Sequence, residues 1–249
     1  MSNDLTRSTA LVTGGNSGIG RAAALGLAGL GAHVVLTGRD QARGEQVVAD
    51  IRTQGGRADF IATELTDEVS ARQLAKQAAD LGGGHVDILV NNAGIFPSGP
   101  THEASEADFD RVYAVNVKVP FFLVAALAPA MAERGHGVII NVSTMVAEFG
   151  MAHMGLYGSS KAALVLLTKS WAAEYGPSGV RVNAVSPGPT RTEGTAAMGD
   201  ALDQLASAAP GGRPGLPEEI AAAITYLASD AASFVQGAVL PVDGGRIAV

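Results

Sequence analysis

Residues 9–20 read TALVTGGNSGIG, an apolar run that leads directly into a glycine-rich loop, and an Ala- and Leu-rich helical pattern follows. The pattern predicts a strand over Thr9–Thr13 and a helix over Gly18–Leu30. Glycines at positions 14, 18 and 20 allow a tight turn, a close approach of the backbone to a pyrophosphate, and close packing of helix on strand. The spacing G-x3-G-x-G differs from the commoner G-x-G-x-x-G. Its place between the first strand and the first helix nevertheless favours a dinucleotide-binding loop over an ordinary glycine-rich turn.

The rest of the chain repeats this alternation of strand and helix. Most predicted strands are unbroken apolar runs, as expected for strands that are covered on both faces. We therefore expect an α/β fold: a single doubly wound Rossmann domain over residues 1–249, with about seven parallel strands flanked by helices on both faces. The further predicted strands are His33–Thr37, Ala58–Ala62, Val86–Val90, Val138–Val142, Val180–Val185 and Ala238–Val242. The further predicted helices are Ala42–Thr53, Glu68–Leu81, Glu106–Glu133, Gly158–Tyr175 and Pro217–Leu227.

One late segment, Thr190–Gly215, does not follow the alternation. It is rich in Gly, Ala, Thr and Pro and only weakly periodic, and it lies between two predicted strands. The composition predicts a mobile substrate lid over residues 190–215, with a plain surface loop as the alternative.

Composition excludes several classes of protein. Hydrophobic residues make up 47% of the chain and charged residues 16%, which excludes a disordered chain. The net charge of −7 argues against nucleic acid or an anionic membrane as the main partner. Because there is no cysteine, a disulfide framework and a thiolate metal site are excluded. None of the five histidines has metal-ligand spacing, so no metal site is expected.

The sequence also predicts where the protein resides. Met1 to Ser8 is polar and lacks the basic-then-apolar order of a secretory leader. The longest near-continuous apolar stretch, Val119 to Ala132, has 14 residues and is too short to cross a bilayer. We expect a soluble, cytoplasmic protein.

Further motifs follow the glycine loop in a definite order. They are Asn91-Asn92-Ala93-Gly94, Asn116 in the long middle helix, a hydroxyl residue after the fifth strand, Tyr157-x3-Lys161, Pro187-Gly188-Pro189-Thr190, and Asp243-Gly244-Gly245. With this ordered set the chain resembles the short-chain dehydrogenase/reductase family over nearly its whole length, in particular its 3-oxoacyl-reductase-like NAD(P)-dependent members. The resemblance implies an enzyme that transfers hydride between a nicotinamide dinucleotide and a small-molecule carbonyl or alcohol substrate.

The choice of nicotinamide cofactor depends on the end of the second strand, which reads Leu36-Thr37-Gly38-Arg39-Asp40. Gly38 stands where the family's NAD-type members carry an acidic residue. Thr37 and Arg39 could instead grip a 2′-phosphate, since guanidinium–phosphate pairing is strong. Asp40 is better placed as the cap of the next helix. NADP(H) is therefore favoured; NAD(H), with Arg39 exposed and without a ligand, is the alternative.

The resemblance implies the remaining cofactor contacts. Asn92 and Gly94 would lie against the adenosine ribose. Glu64, where the family more often carries Asp, would border the adenine with Leu65. Thr190 and Thr192 would meet the nicotinamide carboxamide and the phosphates. The full set of expected cofactor-binding residues is Gly14, Asn16, Ser17, Gly18, Ile19, Gly20, Thr37, Arg39, Glu64, Leu65, Asn92, Ala93, Gly94, Tyr157, Lys161, Pro187, Gly188, Thr190 and Thr192.

The expected catalytic pair is Tyr157 and Lys161, which are four residues apart and so share one face of a helix. A free tyrosine has a pKa near 10, and a nearby ammonium lowers the pKa by favouring the phenolate. Tyr157 can then give a proton to a carbonyl oxygen as hydride arrives, or take it back in oxidation.

The catalytic hydroxyl is either Thr144 or Ser143. The family's serine usually lies thirteen positions before the tyrosine, which falls on Thr144 here. Neighbours on a strand point to opposite sides, so only one of the two faces the substrate, and the spacing favours Thr144. Asn116 would complete a relay by holding a water against the Lys161 backbone, as the resemblance suggests. A buried Asn that bonds only to helix backbone is the alternative.

Substrate identity is poorly specified by the sequence. Segments around the expected site contribute mostly apolar side chains, which favour an apolar or bulky carbonyl compound over a sugar: Phe96, Met145, Val146, Met151, His153, Met154 and Met198. Two alternatives stay open. One is a 3-oxoacyl-[acyl-carrier-protein] reductase, which would need a basic pocket mouth. The other is a catalytically silent NADP-binding regulatory protein.

Assembly is suggested by two helical segments, Phe121–Met131 and Leu164–Trp171. Both are apolar over most of their circumference, which is more than one sheet face could cover. The family resemblance implies that they pack against a symmetry mate in a homo-oligomer, commonly a tetramer.

Overall fold

The computed structural model describes residues 4–249 and contains one sheet of seven parallel strands in the order β3-β2-β1-β4-β5-β6-β7. This confirms the predicted fold class. Met1–Asn3, part of the polar N-terminal stretch and of the domain expected over 1–249, lie outside the described residues. The strands are β1 (Thr9–Val12), β2 (His33–Gly38), β3 (Arg57–Ala62), β4 (Ile88–Asn91), β5 (Gly137–Val142), β6 (Val180–Pro187) and β7 (Val239–Val242).

Eight α-helices connect and cover these strands in the described part of the chain. They are α1 (Gly18–Gly29), α2 (Gln41–Thr53), α3 (Glu68–Leu81), α4 (Glu106–Tyr113), α5 (Val119–Arg134), α6 (Gly155–Tyr175), α7 (Asp200–Ala206) and α8 (Pro217–Ala228). Residues of α1, α2 and α8 form the hydrophobic core on one face of the sheet. Residues of α3, α5 and α6 form the core on the other face. The strands are therefore covered on both sides, which explains why most of their residues are apolar.

The strand order reverses beside β1, which pairs with β2 on one side and with β4 on the other. In an open parallel sheet the connections then leave to opposite faces, and a crevice opens beyond the carboxyl ends of the two strands. The glycine loop follows β1 and the Asn-Asn-Ala-Gly motif follows β4, so both meet at this crevice.

A ladder of polar side chains crosses the centre of the molecule. Asn91 of β4 donates to the Asn141 side chain of β5 over 2.9 Å, and Asn141 donates to the Thr168 hydroxyl of α6 over 2.8 Å. All three residues are buried. Such groups are stable inside a core only when they are hydrogen-bonded, so the ladder fixes how these three elements align.

The middle helical region has the predicted bounds to within one residue, but it is less regular than expected. The predicted helix Glu106–Glu133 is α4 and α5 joined by a π-helical turn over Ala114–Lys118, which contains Asn116. By length and composition alone, the continuous helix Glu106–Arg134 is long and apolar enough to span a membrane. The 14-residue apolar run in the sequence was too short to indicate this length. Its buried side chains, Leu123 and Met131 among them, pack into the core under the sheet, which is the behaviour of a core helix.

Residues 190–215, which we call the lid segment, leave the sheet and return to the same point. Thr190 forms a parallel bridge with Gly215, and the Arg191 N–H donates to the Gly215 carbonyl over 2.9 Å. Between these ends lie a 3₁₀ helix, Glu193–Met198, and the short helix α7. The segment thus has secondary structure that its weak periodicity did not predict, and its mobility stays a prediction.

Candidate active site

A cleft of about 910 Å³ lies at the carboxyl ends of β1 and β4 and extends under the lid segment. The expected cofactor-binding residues line it, except for Gly20, which is buried behind the glycine loop. Of the expected catalytic residues, Ser143, Thr144, Tyr157 and Lys161 also line the cleft, whereas Asn116 is fully buried behind it. The structure therefore brings the two predicted groups of residues into one continuous site.

Hydrogen bonds fasten the glycine loop to the loop after β4. The Thr13 hydroxyl accepts from the N–H groups of Asn92 and Ala93, each over 3.0 Å. The Asn92 side chain donates to the carbonyls of Thr13 over 2.9 Å and of Gly14 over 3.2 Å. Asn92 was expected at the ribose, but its amide protons hold the glycine loop in place. Sequence reasoning did not find the part played by Thr13, which precedes the glycine pattern.

The glycine loop fits the pyrophosphate of a dinucleotide. A Cβ atom at Gly20 would overlap the Gly14 carbonyl oxygen, and Gly18 has a φ of 49°, in the left-handed region. The first bond inside α1 runs from the Arg21 N–H to the Ser17 carbonyl, so the N–H groups of Gly18, Ile19 and Gly20 have no acceptor within the helix. These groups and the positive end of the helix dipole form a cradle for a diphosphate.

The end of β2 lies at the lip of the cleft. A Cβ atom at Gly38 would overlap the Asn16 side chain, so an acidic side chain fits here only if Asn16 moves. Arg39 is exposed and lines the cleft. Asp40 caps α2 by accepting from the Arg43 N–H over 3.1 Å, as predicted. The Thr37 hydroxyl donates to the Ile61 carbonyl over 2.6 Å, which leaves it no proton for a 2′-phosphate.

Lys161 lies buried on the first turns of α6, and its Nζ donates to the Val142 carbonyl over 2.8 Å. A Cβ atom at Gly94 would lie 3.3 Å from this Nζ, so the loop after β4 passes close to the ammonium. Burial lowers the pKa of Lys161 to about 8. The carbonyl at the end of β5 therefore sets the direction of the lysine, a contact that the Tyr-x3-Lys spacing alone does not predict.

Tyr157 lies on the same side of α6, where the Phe96 ring meets its phenol ring edge-on at 6.2 Å between centroids. Burial raises the pKa of Tyr157 to about 12, although a side-chain hydrogen bond with Thr144 acts in the opposite direction. The expected lowering of this pKa by Lys161 is absent here, because burial is the dominant influence on the phenol. The phenol is therefore protonated at neutral pH.

Ser143 and Thr144 point to opposite sides, as neighbours at the end of a strand do. Thr144 forms the side-chain hydrogen bond with Tyr157. The buried Ser143 hydroxyl donates to the Lys161 carbonyl over a long 3.5 Å. The arrangement brings Thr144 to the phenol and directs Ser143 to the helix backbone.

Asn116 joins three elements behind the cleft. Its side chain accepts from the Ile95 N–H and donates to the Ile95 carbonyl, both over 2.9 Å, and it also donates to the Ser160 hydroxyl over 3.0 Å. The side chain is buried as the alternative expected, but it bonds to the backbone of the loop after β4 and to a hydroxyl of α6 instead of helix backbone; the water relay to Lys161 stays a prediction. π-Helical turns such as the one that carries Asn116 are frequent at functional sites.

The far end of the cleft is mainly apolar. All seven side chains expected around the substrate line it: Phe96, Met145, Val146, Met151, His153, Met154 and Met198. Leu202 and Leu205, both on helix α7 in the lid segment, line it as well. Sequence reasoning missed both leucines because it did not predict α7. In residues 4–249, no cluster of His, Cys, Asp or Glu could hold a metal ion.

Comparison with known proteins identifies the family. The family model described as enoyl-(acyl carrier protein) reductase matches residues 14–246. A solved structure of a short-chain dehydrogenase/reductase family protein is 50% identical, covers 99% of this chain and 100% of that one, and has a TM-score of 0.91. The chain is a short-chain dehydrogenase/reductase. It is therefore an NAD(P)-dependent oxidoreductase that acts on a hydroxyl or carbonyl group.

Two relatives of this short-chain dehydrogenase/reductase have more specific names. The cis-4-hydroxycyclohexanecarboxylate dehydrogenase of Sinomonas cyclohexanicum is 43% identical over 243 residues, 96% of each chain. A structure provisionally assigned as an NAD(P)-dependent gluconate 5-dehydrogenase from Beutenbergia cavernae, with bound NADP at low occupancy, is 38% identical. The superposition of the two structures covers 100% of both chains and has a TM-score of 0.94.

Proposed function

We propose that the protein is an NADP(H)-dependent dehydrogenase of alicyclic secondary alcohols and their ketones, with Tyr157 as the general acid and base. One observation carries this proposal. The Tyr157 phenol, bonded to Thr144, lies where an apolar pocket meets the dinucleotide cleft. A carbonyl in the pocket would therefore meet its proton donor beside the nicotinamide end of the cleft.

The nicotinamide dinucleotide, when bound, supplies or accepts the hydride. In reduction, Tyr157 donates the phenolic proton to the substrate oxygen, and its pKa of about 12 keeps that proton available at neutral pH. Thr144 orients the phenol and the substrate oxygen through its hydroxyl. Lys161, held by the Val142 carbonyl, supplies a positive charge in the cleft next to the reacting groups. Asn116 is a positioning residue that joins the loop after β4 to α6.

Arg39 supports NADP(H) as the cofactor. The carboxylate that would hold an unphosphorylated ribose is absent at Gly38, and the exposed Arg39 guanidinium can pair with a 2′-phosphate at the same point. The Beutenbergia cavernae neighbour, which is described with bound NADP, agrees with this choice.

The lining of the pocket supports an alicyclic substrate. Its side chains are mostly Met, Leu, Val and Phe, which favour a compact apolar ring over a polyhydroxylated acid such as gluconate. Among the two named relatives, the enzyme that acts on a hydroxycyclohexane ring is the better guide.

Reduction of a 3-oxoacyl-[acyl-carrier-protein] is the second candidate, because the family model carries an acyl-carrier description and the pocket would take an acyl chain. An acidic carrier protein needs a basic cleft mouth. The Arg, Lys, Asp and Glu side chains along this cleft are nearly balanced between the two signs: Arg39, Arg111, Lys161, Glu64 and Glu193. This balance favours the free small molecule.

A cytoplasmic homotetramer is the state we infer in the cell. Phe121 on α5 and Leu166 on α6 are 44% and 65% exposed, and large exposed apolar side chains on these two helices favour a symmetric contact with other copies.

The proposal is tested by NADPH oxidation with cyclohexanone-type ketones, open-chain ketones and a 3-oxoacyl thioester. Alicyclic ketones should give the highest kcat/KM, and Tyr157→Phe should lower kcat by about 10²-fold or more without weakening NADPH binding. A preference for the thioester would favour the second candidate. No turnover with any carbonyl, despite tight NADPH binding, would point to a silent regulatory protein.

A further inference from the structure

The Glu193 carboxylate of the lid segment reaches the dinucleotide-binding loop. Its Oε2 accepts from the Gly18 N–H over 2.9 Å. Gly18 is the first residue of α1, and its N–H is one of the groups that the helix leaves without an acceptor. A carboxylate at this positive helix end is favourable in the protein alone.

The position of Glu193 is held by its neighbours. The Thr195 hydroxyl accepts from the Thr192 N–H over 2.9 Å and donates to the Thr190 carbonyl over 2.8 Å. The Thr192 methyl group lies over Gly18, where an added Cβ would come within 3.1 Å of it. These contacts fix the turn that carries Glu193 and so direct its carboxylate to the glycine loop.

The negative charge of Glu193 is not neutralised by a cation. In residues 4–249, no Lys, Arg or His side chain is paired with it. Arg21 and Arg191, which line the same small cavity of about 210 Å³ beside Glu193, pair instead with Asp50 and Asp203 over 2.9 and 2.7 Å. A pyrophosphate bound at the N-terminus of α1 would thus meet an unpaired carboxylate.

We propose that Glu193 acts as an internal anion that competes with the cofactor pyrophosphate for the N-terminus of α1, and that it weakens cofactor binding and speeds cofactor release. This inference rests on the proposed function, because it needs NADP(H) in the cleft. Release of the dinucleotide must occur in every turnover, and release steps often limit kcat. The lid segment then both covers the cleft and carries the negative charge that speeds dissociation of the used cofactor.

The opposite role would be a tether, in which Glu193 holds the lid segment closed over the cofactor. Two substitutions separate the roles. Glu193→Gln keeps an oxygen that can accept from the Gly18 N–H but removes the charge, whereas Glu193→Ala removes both. Competition by charge predicts tighter NADPH binding in both variants. A tether predicts no change for Gln and weaker binding for Ala.

The experiment measures NADPH dissociation constants by fluorescence for the wild type and the two variants. We expect Kd to fall roughly 3- to 10-fold in both, with the gain reduced at high salt. Glu218→Gln is the matched control, because Glu218 lines the same small cavity and loses the same charge away from the loop; its Kd should stay within about twofold of the wild type.

A cofactor fragment gives a second control. Adenosine 2′-monophosphate carries the 2′-phosphate but no pyrophosphate, so its Kd should be the same in wild type and Glu193→Gln. Unchanged or weaker NADPH binding in Glu193→Gln, or an equal gain for the fragment, would overturn the competition. If the wild type bound neither NADPH nor NADH, the proposed function itself would fail; tight wild-type binding that Glu193→Gln does not alter would overturn only this inference.

Discussion

Thr144→Val should lower kcat by about 10²–10³-fold, the usual cost of one lost transition-state hydrogen-bond donor, equivalent to about 2.7–4 kcal/mol. Valine keeps the shape and branching of the side chain but deletes the hydroxyl that bonds to Tyr157. Thr144→Ser keeps the hydroxyl and should retain most of the activity. Ser143→Ala deletes only a 3.5 Å hydrogen bond to the Lys161 carbonyl, at the limit of useful length, so kcat should change less than about tenfold.

The assay is steady-state kcat at saturating NADPH for the three variants. The Kd for NADPH and the thermal midpoint serve as checks that each variant is folded and loaded. The reasoning fails if the order is reversed, with Ser143→Ala crippled and Thr144→Val mild, because the strand end would then have the other register. Full activity in all three variants would show that neither hydroxyl takes part.

Three further predictions address the cofactor, the buried lysine and one strained residue. Arg39→Ala should weaken NADPH by about 1.5–3 kcal/mol and leave NADH unchanged; equal losses in measured Kd would contradict the 2′-phosphate contact. Because burial lowers the pKa of Lys161 from 10.5 to about 8, the unfolded chain holds a proton between these pH values that the folded protein has lost, so stability should rise by about 3 kcal/mol over this window. Urea unfolding at both ends of the window should show this rise in the wild type and not in Lys161→Met. His153 has a φ of 68°, so His153→Gly should stabilise the protein by about 1 kcal/mol in the same assay, and a loss of stability would argue against backbone strain there.

The parallel sheet was predictable from the sequence because its strands are buried on both faces. Strands such as β1 and β5 are mainly apolar, and such runs separated by helical patterns allow few other folds. Helix α7 was not predictable, because the lid segment has the composition of a loop and gains its structure from contacts at its two ends. The π-helical turn at Asn116 lies within a continuous helical pattern, and the spacing of apolar residues there does not reveal it.

The candidate site, like the fold, could be predicted from the sequence only in part. Helical spacing was enough to place Tyr157 and Lys161 on one face of α6. The contact of Lys161 with the Val142 carbonyl and the high pKa of Tyr157 depend on burial by distant parts of the chain. The bond between Gly18 and Glu193 joins residues 175 positions apart, and no local pattern predicts such a pair.

The polar ladder through Asn91, Asn141 and Thr168 has a consequence for how the protein is synthesised. Its links join residues 50 and 27 positions apart in the chain, and the loop after β4, the end of β5 and the start of α6 all carry site residues. A slip of one residue between β4 and β5 would turn these amides to the other face of the sheet, so the ladder forms only when the two strands pair in the correct register. A nascent chain cannot complete this alignment until residue 168 has left the ribosome, and closing such distant contacts is slow. The site around Tyr157 is therefore a late product of folding, which forms only after two-thirds of the chain has emerged.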